Sequence, residues 1–280
     1  MTVYLGVCGW PVWHSRSPAM QNAALAAAGL EGWRYLRLPL PPELFAETVR
    51  ALPAAGFRGV NVTIPHKEAA LALATTASEA AREIGAANTL TFEPDGAIVA
   101  DNTDAPGLLA ALGERCDPAG RTALVLGAGG AARAAVWALL RAGASPVEVW
   151  NRTPARARSL TAELGGRAVE RPSTAQIVVN CTSVGLADPA VTFKALPLQA
   201  DSLGAGSCVV DMVYRDGGTR LLEAARTRGA DVIDGLEILI AQGAASFERW
   251  TGRTAPRQAM RDAVRPSPAH ESASTDRGTT

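Results

Sequence analysis

Short apolar runs alternate with amphipathic segments in the first part of the chain. The runs predict strands at 3–9, 35–38 and 59–63, and the segments between them predict helices at about 19–28 and 42–52. Alternating strands and helices are typical of a parallel sheet that is covered on both faces. A further helix is predicted at about 78–84, and two strands, 89–92 and 98–100, are predicted on either side of a hairpin-like turn.

A second group of elements follows the turn at 117–120. An apolar strand at 122–126 runs into a glycine-rich loop, which leads to a helix at about 131–142 and a second strand at 147–150. Strand, glycine loop, helix and strand in this order are typical of a dinucleotide-binding βαβ unit. Further strands are predicted at 177–180, 208–211 and 231–233, and further helices at 219–228 and about 236–250.

Composition narrows the class of function without identifying it. The chain has 280 residues, 48% of them hydrophobic, and a formal net charge of zero, which disfavours binding to nucleic acid or to a membrane. The apolar start at 2–9 lacks a basic leader and predicts a strand, and no apolar stretch approaches the ~20 residues of a membrane span. The four cysteines lack paired spacing and the three histidines are scattered, so we expect reduced thiols, a cytoplasmic protein and no metal site.

The glycine-rich loop at 127–132 reads GAGGAA and matches the pattern G-x-G-x-x-A. Its glycines would let backbone amides approach a pyrophosphate at the positive end of the following helix. A tight turn without a ligand is the alternative, but the flanking strands and helix favour a dinucleotide. The residues predicted to contact the cofactor here are Gly127, Ala128, Gly129, Gly130 and Ala131.

The end of the second strand of this unit predicts which dinucleotide is bound. A site for NAD usually has an acidic residue there, but this chain has Asn151, Arg152 and Thr153, followed by Arg156. An arginine pairs with the 2′-phosphate of NADP, whereas a carboxylate would repel it. We therefore predict NADP as the cofactor. Solvated arginines on the following helix are the alternative, which accounts for Arg158 more easily than for Arg152.

Lysine is rare in this chain, since Lys67 and Lys194 stand against 25 arginines. A guanidinium stays charged at any working pH, whereas an ammonium can give up its proton when its surroundings disfavour the charge. Lys67 follows a β-prone run and Pro65, which suits the first position of a helix, so the lysine would lie in a first helical turn. The positive end of that helix would disfavour the ammonium form, and proton transfer is the predicted role. A solvated lysine beside Glu68 is the alternative.

Several other polar side chains are candidates for function, and most have an alternative structural role. Ser17 precedes Pro18 and could cap the helix that follows, whereas Ser15 lacks that explanation. Asp104 stands before a short helix, so helix capping is its alternative role as well. Gln242 lies among small and apolar residues on the last long helix, where it could return to the first domain or face solvent.

Two predicted strands of the second part end in polar loops. Asn180 is followed by Cys181, Thr182 and Ser183, and the strand at 208–211 is followed by Met212, Val213 and Tyr214. Ligands of open α/β sheets bind in the crevice at the carboxyl ends of the strands. We therefore expect these two loops to face the nicotinamide half of the cofactor.

These elements predict an α/β protein of two domains. Residues 1–104 would form an N-terminal, mostly parallel α/β substrate domain, and residues 105–235 a Rossmann-like NADP domain. A C-terminal helical segment at about 236–264 would return to the first domain. Residues 265–280 are rich in proline, serine, threonine and charge, and we expect them to form a disordered tail.

Taken together, the motifs resemble those of the shikimate dehydrogenase family, and the resemblance extends from residue 3 to about residue 252. The matching stretches are HSRSP at 14–18, NVTIPHK at 61–67, GAANT at 85–89, NTD at 102–104, the glycine-rich loop, NRT at 151–153, DMVY at 211–214, and DGL at 234–236 through Gln242. The chain departs from the family pattern at Asp101, where the family commonly has glycine. This difference concerns the conformation of the local turn and not the catalytic pair.

The resemblance implies NADP-linked interconversion of 3-dehydroshikimate and shikimate in aromatic amino-acid biosynthesis. It implies that Lys67 and Asp104 are the catalytic pair, because ketone reduction needs a proton donor and Asp104 would hold the ammonium. The substrate site is implied to consist of Ser15, Ser17, Thr63, Asn88, Tyr214 and Gln242. The cofactor site is implied to include Thr182, Met212 and Gly235 in addition to the glycine-rich loop and the residues from 151 to 156.

Three alternatives stay open at this point. A quinate or dual quinate/shikimate dehydrogenase would keep the same catalytic pair and differ in a pocket contact. A non-catalytic NADP-binding regulatory module would be favoured by loss of Lys67 or Asp104, and both are present. An enzyme of the same plan that acts on folate-linked or amino-acid substrates is disfavoured by the loop that carries Ser15 and Ser17. We expect a small-molecule substrate and a monomer or homodimer.

Overall fold

The structure, a computed structural model, describes residues 2–113 and 115–265. These residues form two six-stranded sheets with helices packed against them, which confirms the predicted two-domain α/β class. The strands of the first sheet are β1 (Val3–Gly9), β2 (Trp33–Pro39), β3 (Phe57–Val62), β4 (Thr76–Ala77), β5 (Thr89–Phe92) and β6 (Ile98–Asp101). The strands of the second sheet are β7 (Ala123–Leu126), β8 (Val147–Trp150), β9 (Arg167–Ala168), β10 (Ile177–Asn180), β11 (Cys208–Asp211) and β12 (Asp231–Ile233).

The helices connect these strands in the order expected for an α/β chain. They are α1 (Ser17–Ala27), α2 (Pro42–Ala51), α3 (Lys67–Leu73), α4 (Glu79–Ile84), α5 (Asp104–Gly113), α6 (Gly130–Arg141), α7 (Pro154–Leu164), α8 (Thr192–Ala195), α9 (Arg220–Thr227), α10 (Gly235–Thr251) and α11 (Arg257–Val264). Short 3₁₀ turns occur at Leu52–Ala55, Pro189–Val191 and Ala200–Ser202.

The first sheet has the strand order β2-β1-β3-β5-β6-β4. β1 runs parallel to β2 and β3, whereas β5 runs antiparallel to β3 and β6. A tight turn can join only antiparallel strands, so the predicted hairpin accounts for the pairing of β5 with β6, but it does not determine how β5 pairs with β3. The sheet is mostly parallel, as predicted, with one strand reversed.

The second sheet has the strand order β12-β11-β10-β7-β8-β9, and all its neighbouring strands are parallel. All residues of β7 and β10 are buried, and all are apolar except Asn180 at the end of β10. This burial is expected for a sheet that is covered on both faces. β8 and β9 follow β7 on one side of it in the sheet, whereas β10, β11 and β12 lie on the other side of β7. The strand order therefore reverses between β7 and β10. A ligand crevice is therefore expected at the carboxyl ends of β7 and β10.

The start of α3 differs from the prediction. Pro65 does not occupy the first helical position, because α3 begins two residues later at Lys67 with His66 as its N-cap. The imidazole of His66 is buried, its Nε2 lies 2.7 Å from the carbonyl oxygen of Leu40, and it stacks on Phe45 at a centroid distance of 4.3 Å. Burial lowers the pKa of His66, which favours the neutral ring. Lys67 lies in the first turn as predicted, but buried contacts of the histidine before it set that position.

Two helices connect the sheets. α5 follows β6 directly and leads into the second sheet, and α10 follows β12 and packs against α5 and α1. Trp250 on α10 donates from Nε1 to the carbonyl of Leu90 at 3.1 Å, so the C-terminal helical segment returns to the first sheet. On this basis we propose the division of the chain into 1–104, 105–235 and 236–264.

Asp101, the departure from the resemblance, makes tertiary contacts at the end of β6. Its Oδ1 accepts hydrogen bonds from the hydroxyl of Ser78 at 2.5 Å and from the N–H of Asn102 at 2.8 Å. Its Oδ2 pairs with Arg249 on α10. The carboxylate therefore connects the start of α4 and the helix α10 to the strand that leads to Asp104.

The C-terminal end of the described chain is anchored by charge. Arg265 donates to the carboxylate of Asp234 at 2.5 Å, and apart from this residue the predicted disordered tail at 265–280 lies outside the described residues.

None of the helices within 2–113 and 115–265 has the length and hydrophobicity needed to cross a membrane. The same residues contain no group of three or more His, Cys, Asp or Glu side chains that could hold a metal ion.

Candidate active site

A cavity of about 190 Å³ lies between the carboxyl ends of the two sheets. Its walls come from the loops after β1 and β3 on one side and the loops after β10 and β11 on the other. All six residues predicted for the substrate site line it, namely Ser15, Ser17, Thr63, Asn88, Tyr214 and Gln242. It is also lined by Lys67 and Asp104 and by four predicted cofactor residues, Ala131, Thr182, Met212 and Gly235.

Lys67 and Asp104 form an ion pair inside this cavity. The Nζ of Lys67 lies 2.5 Å from Oδ2 of Asp104, and each side chain is only 11% exposed. The lysine comes from the first turn of α3 and the aspartate begins α5, so the contact joins two separate elements. The solvated-surface interpretation of Lys67 is therefore wrong, because a carboxylate holds its ammonium at the cavity wall.

Asn102, and not Asp104, supplies the side-chain cap at the start of α5. The Oδ1 of Asn102 accepts hydrogen bonds from the N–H groups of Asp104 at 3.1 Å and of Ala105 at 3.3 Å. A side-chain oxygen that accepts from the first amides of a helix is the usual capping arrangement. The capping role considered for Asp104 is thus taken by its neighbour, and the aspartate carboxylate points to Lys67.

Asn88 binds the second oxygen of the Asp104 carboxylate. Its Nδ2 donates to Oδ1 of Asp104 at 2.8 Å, and the same nitrogen lies 3.3 Å from Oε1 of Gln242. The Nε2 of Gln242 donates to the carbonyl of Leu239 at 2.8 Å, which turns Oε1 toward Asn88. Both amides are nearly buried, so a row of polar groups lies beside the ion pair.

The loop between β1 and α1 brings two serine hydroxyls to the cavity. The Oγ of Ser15 accepts a hydrogen bond from the N–H of Ser17 at 3.3 Å. α1 begins at Ser17 itself, and the side-chain oxygen that accepts from its first amide belongs to Ser15, so the capping role considered for Ser17 is wrong. Tyr214 approaches from the second sheet, and its hydroxyl accepts from the N–H of Arg16 at 3.4 Å. Burial raises the pKa of Tyr214, so the phenol keeps its proton and can donate to a ligand.

Asp211, at the end of β11, fixes the loop that carries Met212 and Tyr214. Its Oδ1 accepts hydrogen bonds from Nδ2 of Asn180 at 2.9 Å and from the N–H of Val213 at 3.1 Å. Burial raises the pKa of Asp211 to about 6, although these hydrogen bonds stabilise its charged form. The loop is therefore shaped by a buried carboxyl group at the carboxyl ends of the strands.

Two glycines of the loop after β7 are required by their surroundings. Gly127 has a φ of +113°, which residues with a side chain rarely adopt, and a Cβ there would lie 3.2 Å from the backbone of Cys181. Gly130 begins α6, and a Cβ there would lie 2.7 Å from the Cβ of Lys67. The absence of a side chain at Gly130 therefore lets the positive end of α6 lie against the stem of Lys67.

The residues that follow β8 lie apart from the cavity lining. Asn151 donates from Nδ2 to the carbonyl of Thr153 at 2.9 Å, which shapes the turn before α7. Arg152 and Arg156 are exposed, and neither forms an ion pair within the described part of the chain. The acidic Glu148 of β8 is buried and paired with an arginine of β9. The end of β8 therefore offers cations, and no carboxylate, to a ligand.

These features fit a bound NADP molecule. Beside Gly129, the N-cap of α6, a Cβ would meet no described atom within 4 Å, so a pyrophosphate can approach the first amides of the helix there. The unpaired charges of Arg152 and Arg156 suit a 2′-phosphate. Ala131, Thr182, Met212 and Gly235 then line the part of the cavity next to Lys67.

Three residues that are not among the predicted site residues also belong to the cavity wall. Asn61, His14 and Cys181 line it. Asn61 is a buried polar residue within the otherwise apolar end of β3, and that pattern alone could have indicated a functional position. Burial and the charge of Arg37 lower the pKa of His14, which favours the neutral ring. Burial raises the pKa of Cys181, so its thiol stays protonated.

Models of three protein families match the chain. The family described as the shikimate dehydrogenase substrate binding domain matches residues 7–90, and that described as shikimate/quinate 5-dehydrogenase matches residues 111–184. The family described as the shikimate 5′-dehydrogenase C-terminal domain matches residues 235–265. The matched residues belong to both sheets and to α10 and α11.

Individual proteins are similar to the chain over nearly its whole length. The shikimate dehydrogenase (NADP⁺) of Thermus thermophilus is 47% identical over 261 residues, which cover 92% of this chain and 96% of that protein. The shikimate dehydrogenase (NADP⁺) of Paracoccus denitrificans is 44% identical over 259 residues, with coverages of 89% and 90%. A crystal structure of the Thermus thermophilus shikimate 5-dehydrogenase in complex with NADP(H) and shikimate has a TM-score of 0.84 and 44% identity, and covers 94% of this chain and 98% of that one.

Proposed function

The chain belongs to the shikimate dehydrogenase family, and from this membership we propose how its residues interconvert 3-dehydroshikimate and shikimate. It is an NADP-dependent oxidoreductase that acts on a CH–OH group in aromatic amino-acid biosynthesis. The observation that carries the proposed mechanism is the Lys67–Asp104 ion pair in the cavity wall, which lies beside the start of α6.

Lys67 is the proposed proton donor in the reductive direction. When bound, NADPH supplies the hydride that adds to the carbonyl carbon of 3-dehydroshikimate. Negative charge then develops on the carbonyl oxygen, and the ammonium of Lys67 stabilises that charge and transfers a proton to it. The products are the secondary alcohol and a neutral amine, and the amine regains its proton from water. In the oxidative direction the neutral amine accepts the hydroxyl proton.

Asp104 and Asn88 are proposed to keep Lys67 in place during the reaction. One carboxylate oxygen contacts the ammonium at 2.5 Å and the other accepts from Nδ2 of Asn88 at 2.8 Å, so the carboxylate is bound at both ends. A catalytic group that is fixed before the substrate arrives needs little reorganisation in the transition state.

The remaining cavity residues are proposed to recognise the substrate. Shikimate is a small polyol acid, and Ser15, Ser17, Thr63 and Tyr214 place hydroxyl groups around the cavity. Gln242 adds an amide beside the catalytic pair. A pocket built from hydrogen-bonding groups discriminates strongly against analogues that leave those groups unpaired, because buried polar groups without partners are costly.

The proposed reaction is tested by following NADPH absorbance with shikimate and quinate offered side by side to the purified protein. We expect oxidation of shikimate with NADP⁺, and a lower kcat/KM for quinate because its ring bears a different set of groups. A kcat/KM for quinate that equals or exceeds that for shikimate would establish the broader quinate/shikimate activity instead. Absence of turnover with both would favour the regulatory module.

Substitution of Arg152 tests the proposed cofactor site. Arg152→Ala should raise the KM for NADP⁺ by about 10-fold or more, because a charge-assisted bond to the 2′-phosphate is lost, while kinetics with NAD⁺ change little. Arg158→Ala is the matched control, since Arg158 is exposed on α7 in the same region and should leave both values near those of the wild type. Equal KM values for NADP⁺ in the two variants would show that Arg152 does not bind the 2′-phosphate. A wild-type kcat/KM with NAD⁺ that equals or exceeds that with NADP⁺ would contradict the predicted preference for NADP.

We also propose the setting in which the enzyme acts. All four cysteines are free thiols, which suits a reducing cytoplasm. The formal net charge of zero provides no general attraction to the phosphate backbone of a nucleic acid. We propose a small molecule as the substrate and a monomer or homodimer as the assembly.

A further inference from the structure

Four buried polar side chains lie behind the ion pair and form a connected group, which we call the hydroxyl cluster: Asn61 of β3, Thr89 of β5, Thr103 before α5 and Ser246 of α10. The Oγ1 of Thr89 lies 2.9 Å from Oγ of Ser246 and 3.3 Å from Oγ1 of Thr103. The Nδ2 of Asn61 donates to Ser246 at 2.9 Å and lies 3.2 Å from Oγ1 of Thr89. Thr89 and Ser246 are fully buried, and neither they nor Thr103 line the cavity, so the substrate does not touch these three residues.

The cluster contacts the amide group of Asn88. The N–H of Thr103 lies 2.7 Å from Oδ1 of Asn88, and a backbone N–H can only donate, so this atom must be the amide oxygen. The nitrogen of the same amide then has to point at Oδ1 of Asp104, 2.8 Å away. The hydroxyls of Thr89 and Thr103 lie 3.0 Å and 3.1 Å from the amide oxygen of Asn88 and favour the same orientation.

Asn61 has a single orientation for a similar reason. Its Nδ2 lies 3.2 Å from the carbonyl oxygen of Asn88, which can only accept, and its Oδ1 accepts from the hydroxyl of Tyr35 at 2.8 Å. The second hydrogen of Nδ2 is therefore available to Ser246, which donates in turn to the carbonyl of Gln242 at 3.1 Å. The cluster thus connects β3, β5 and α10 around the residue that binds Asp104.

We propose that Thr89 is a positioning residue for the reaction, because its hydroxyl holds the Asn88 amide in the orientation that binds the Asp104 carboxylate. The inference rests on the proposed function, in which Asp104 orients Lys67. Without this hydroxyl the amide of Asn88 loses one of the donors that keep it from rotating, and Asp104 can shift relative to Lys67. Misplacement of a catalytic group by ~1 Å can cost up to about 10²-fold in rate.

Thr91 provides a matched control on the same strand. Side chains two residues apart on a strand face the same side, so Thr89 and Thr91 both point to one face of β5. Thr91 is buried as well, but among the described residues its hydroxyl has no hydrogen-bond partner. Replacing either threonine with valine removes one buried hydroxyl and keeps the branched shape, so the two variants differ only in whether the cluster loses a member.

The experiment measures steady-state shikimate oxidation by three variants, with melting temperatures taken in parallel. Thr89→Val should lower kcat about 10-fold and leave the KM for NADP⁺ within about 2-fold of the wild type, because the cofactor site is untouched. Thr89→Ser retains the hydroxyl and should restore kcat to within about 3-fold, although it loses a methyl group. Thr91→Val should keep kcat within about 2-fold.

Equal kcat values for Thr89→Val and Thr91→Val would overturn the inference. So would a Thr89→Ser variant as slow as Thr89→Val, since packing would then explain the loss. If Thr89→Val does not fold, Thr89→Ala removes the same hydroxyl with a smaller side chain, and wild-type kcat in that variant also overturns the inference. An active Lys67→Ala variant refutes the proposed function, whereas an inactive one with unimpaired Thr89→Val refutes only the positioning role.

Discussion

Replacing Lys67 with alanine is expected to lower kcat by about 10²-fold or more, the scale at which positioned general acids contribute to catalysis. The ammonium is removed from the cavity while the groups proposed to hold the cofactor remain, so binding of NADP⁺ should change little. The variant and the wild type are compared by two measurements. These are kcat from steady-state oxidation of shikimate and the dissociation constant of NADPH from its fluorescence. Near-normal turnover in this variant would remove Lys67 from the proposed role.

The chain offers a matched control and a chemical control for this substitution. Lys194→Ala changes the other lysine, which is exposed on α8, and should leave kcat unaltered. Lys67→Arg keeps a positive charge in the cavity, but a guanidinium does not release its proton at working pH and has a different shape. We expect Lys67→Arg to be slow as well, and a fast arginine variant would show that charge alone is sufficient.

Local patterns were enough to predict most of the fold. The apolar run at 3–9 corresponds to β1, and the predicted strand, glycine-rich loop and helix correspond to β7 and α6. Those signals are local, because hydrophobic period, glycine and proline act within a few residues. The reversed direction of β5 depends on which strands pair, and alternation of strands and helices carries no information about that.

Residue types predicted the catalytic candidates, but not the partners that support them. Lys67 stood out because this chain otherwise uses arginine, and the alternatives for Asp104 and Ser17 were equally compatible with the sequence. Only the structure shows that Asn102 caps α5 and that Ser15, and not Ser17, accepts from the first amide of α1. Capping preferences describe a residue next to a helix, and they cannot tell which of two neighbouring polar residues turns toward the helix.

The hydroxyl cluster could not be predicted from the sequence, because its members are distant in the chain. Thr89 and Ser246 are separated by 157 positions, and their contact depends on the return of α10 to the first sheet. Asn61, Thr89 and Thr103 each lie within a recognised motif, yet none of them had an assigned role. Their contacts give these motif positions a physical explanation, since Thr89 and Thr103 donate to the amide oxygen of Asn88 and Asn61 donates to its backbone carbonyl.

Asp104→Asn is expected to lower kcat by about 10²-fold with little change in the shape of the site. The substitution removes the negative charge that faces Lys67 and can place a second donor against Nζ or against the amide of Asn88. Asn102→Ala is the control for helix capping, because it removes the side-chain cap of α5 and retains both members of the ion pair. We expect Asn102→Ala to lower the melting temperature and to reduce kcat less than Asp104→Asn does. If Asp104→Asn lowers only the melting temperature, its main role is structural.

Combining Asp104→Asn with Lys67→Ala tests whether the two residues act as a unit. Residues that share one catalytic task show strongly non-additive effects, because removing the second partner has no further consequence once the first is gone. The pair lies 2.5 Å apart and faces one cavity, so we expect the double variant to be about as slow as Lys67→Ala alone. A double variant whose kcat falls by the product of the two single effects would mean that Asp104 contributes independently of the lysine, for example through a direct contact with the substrate.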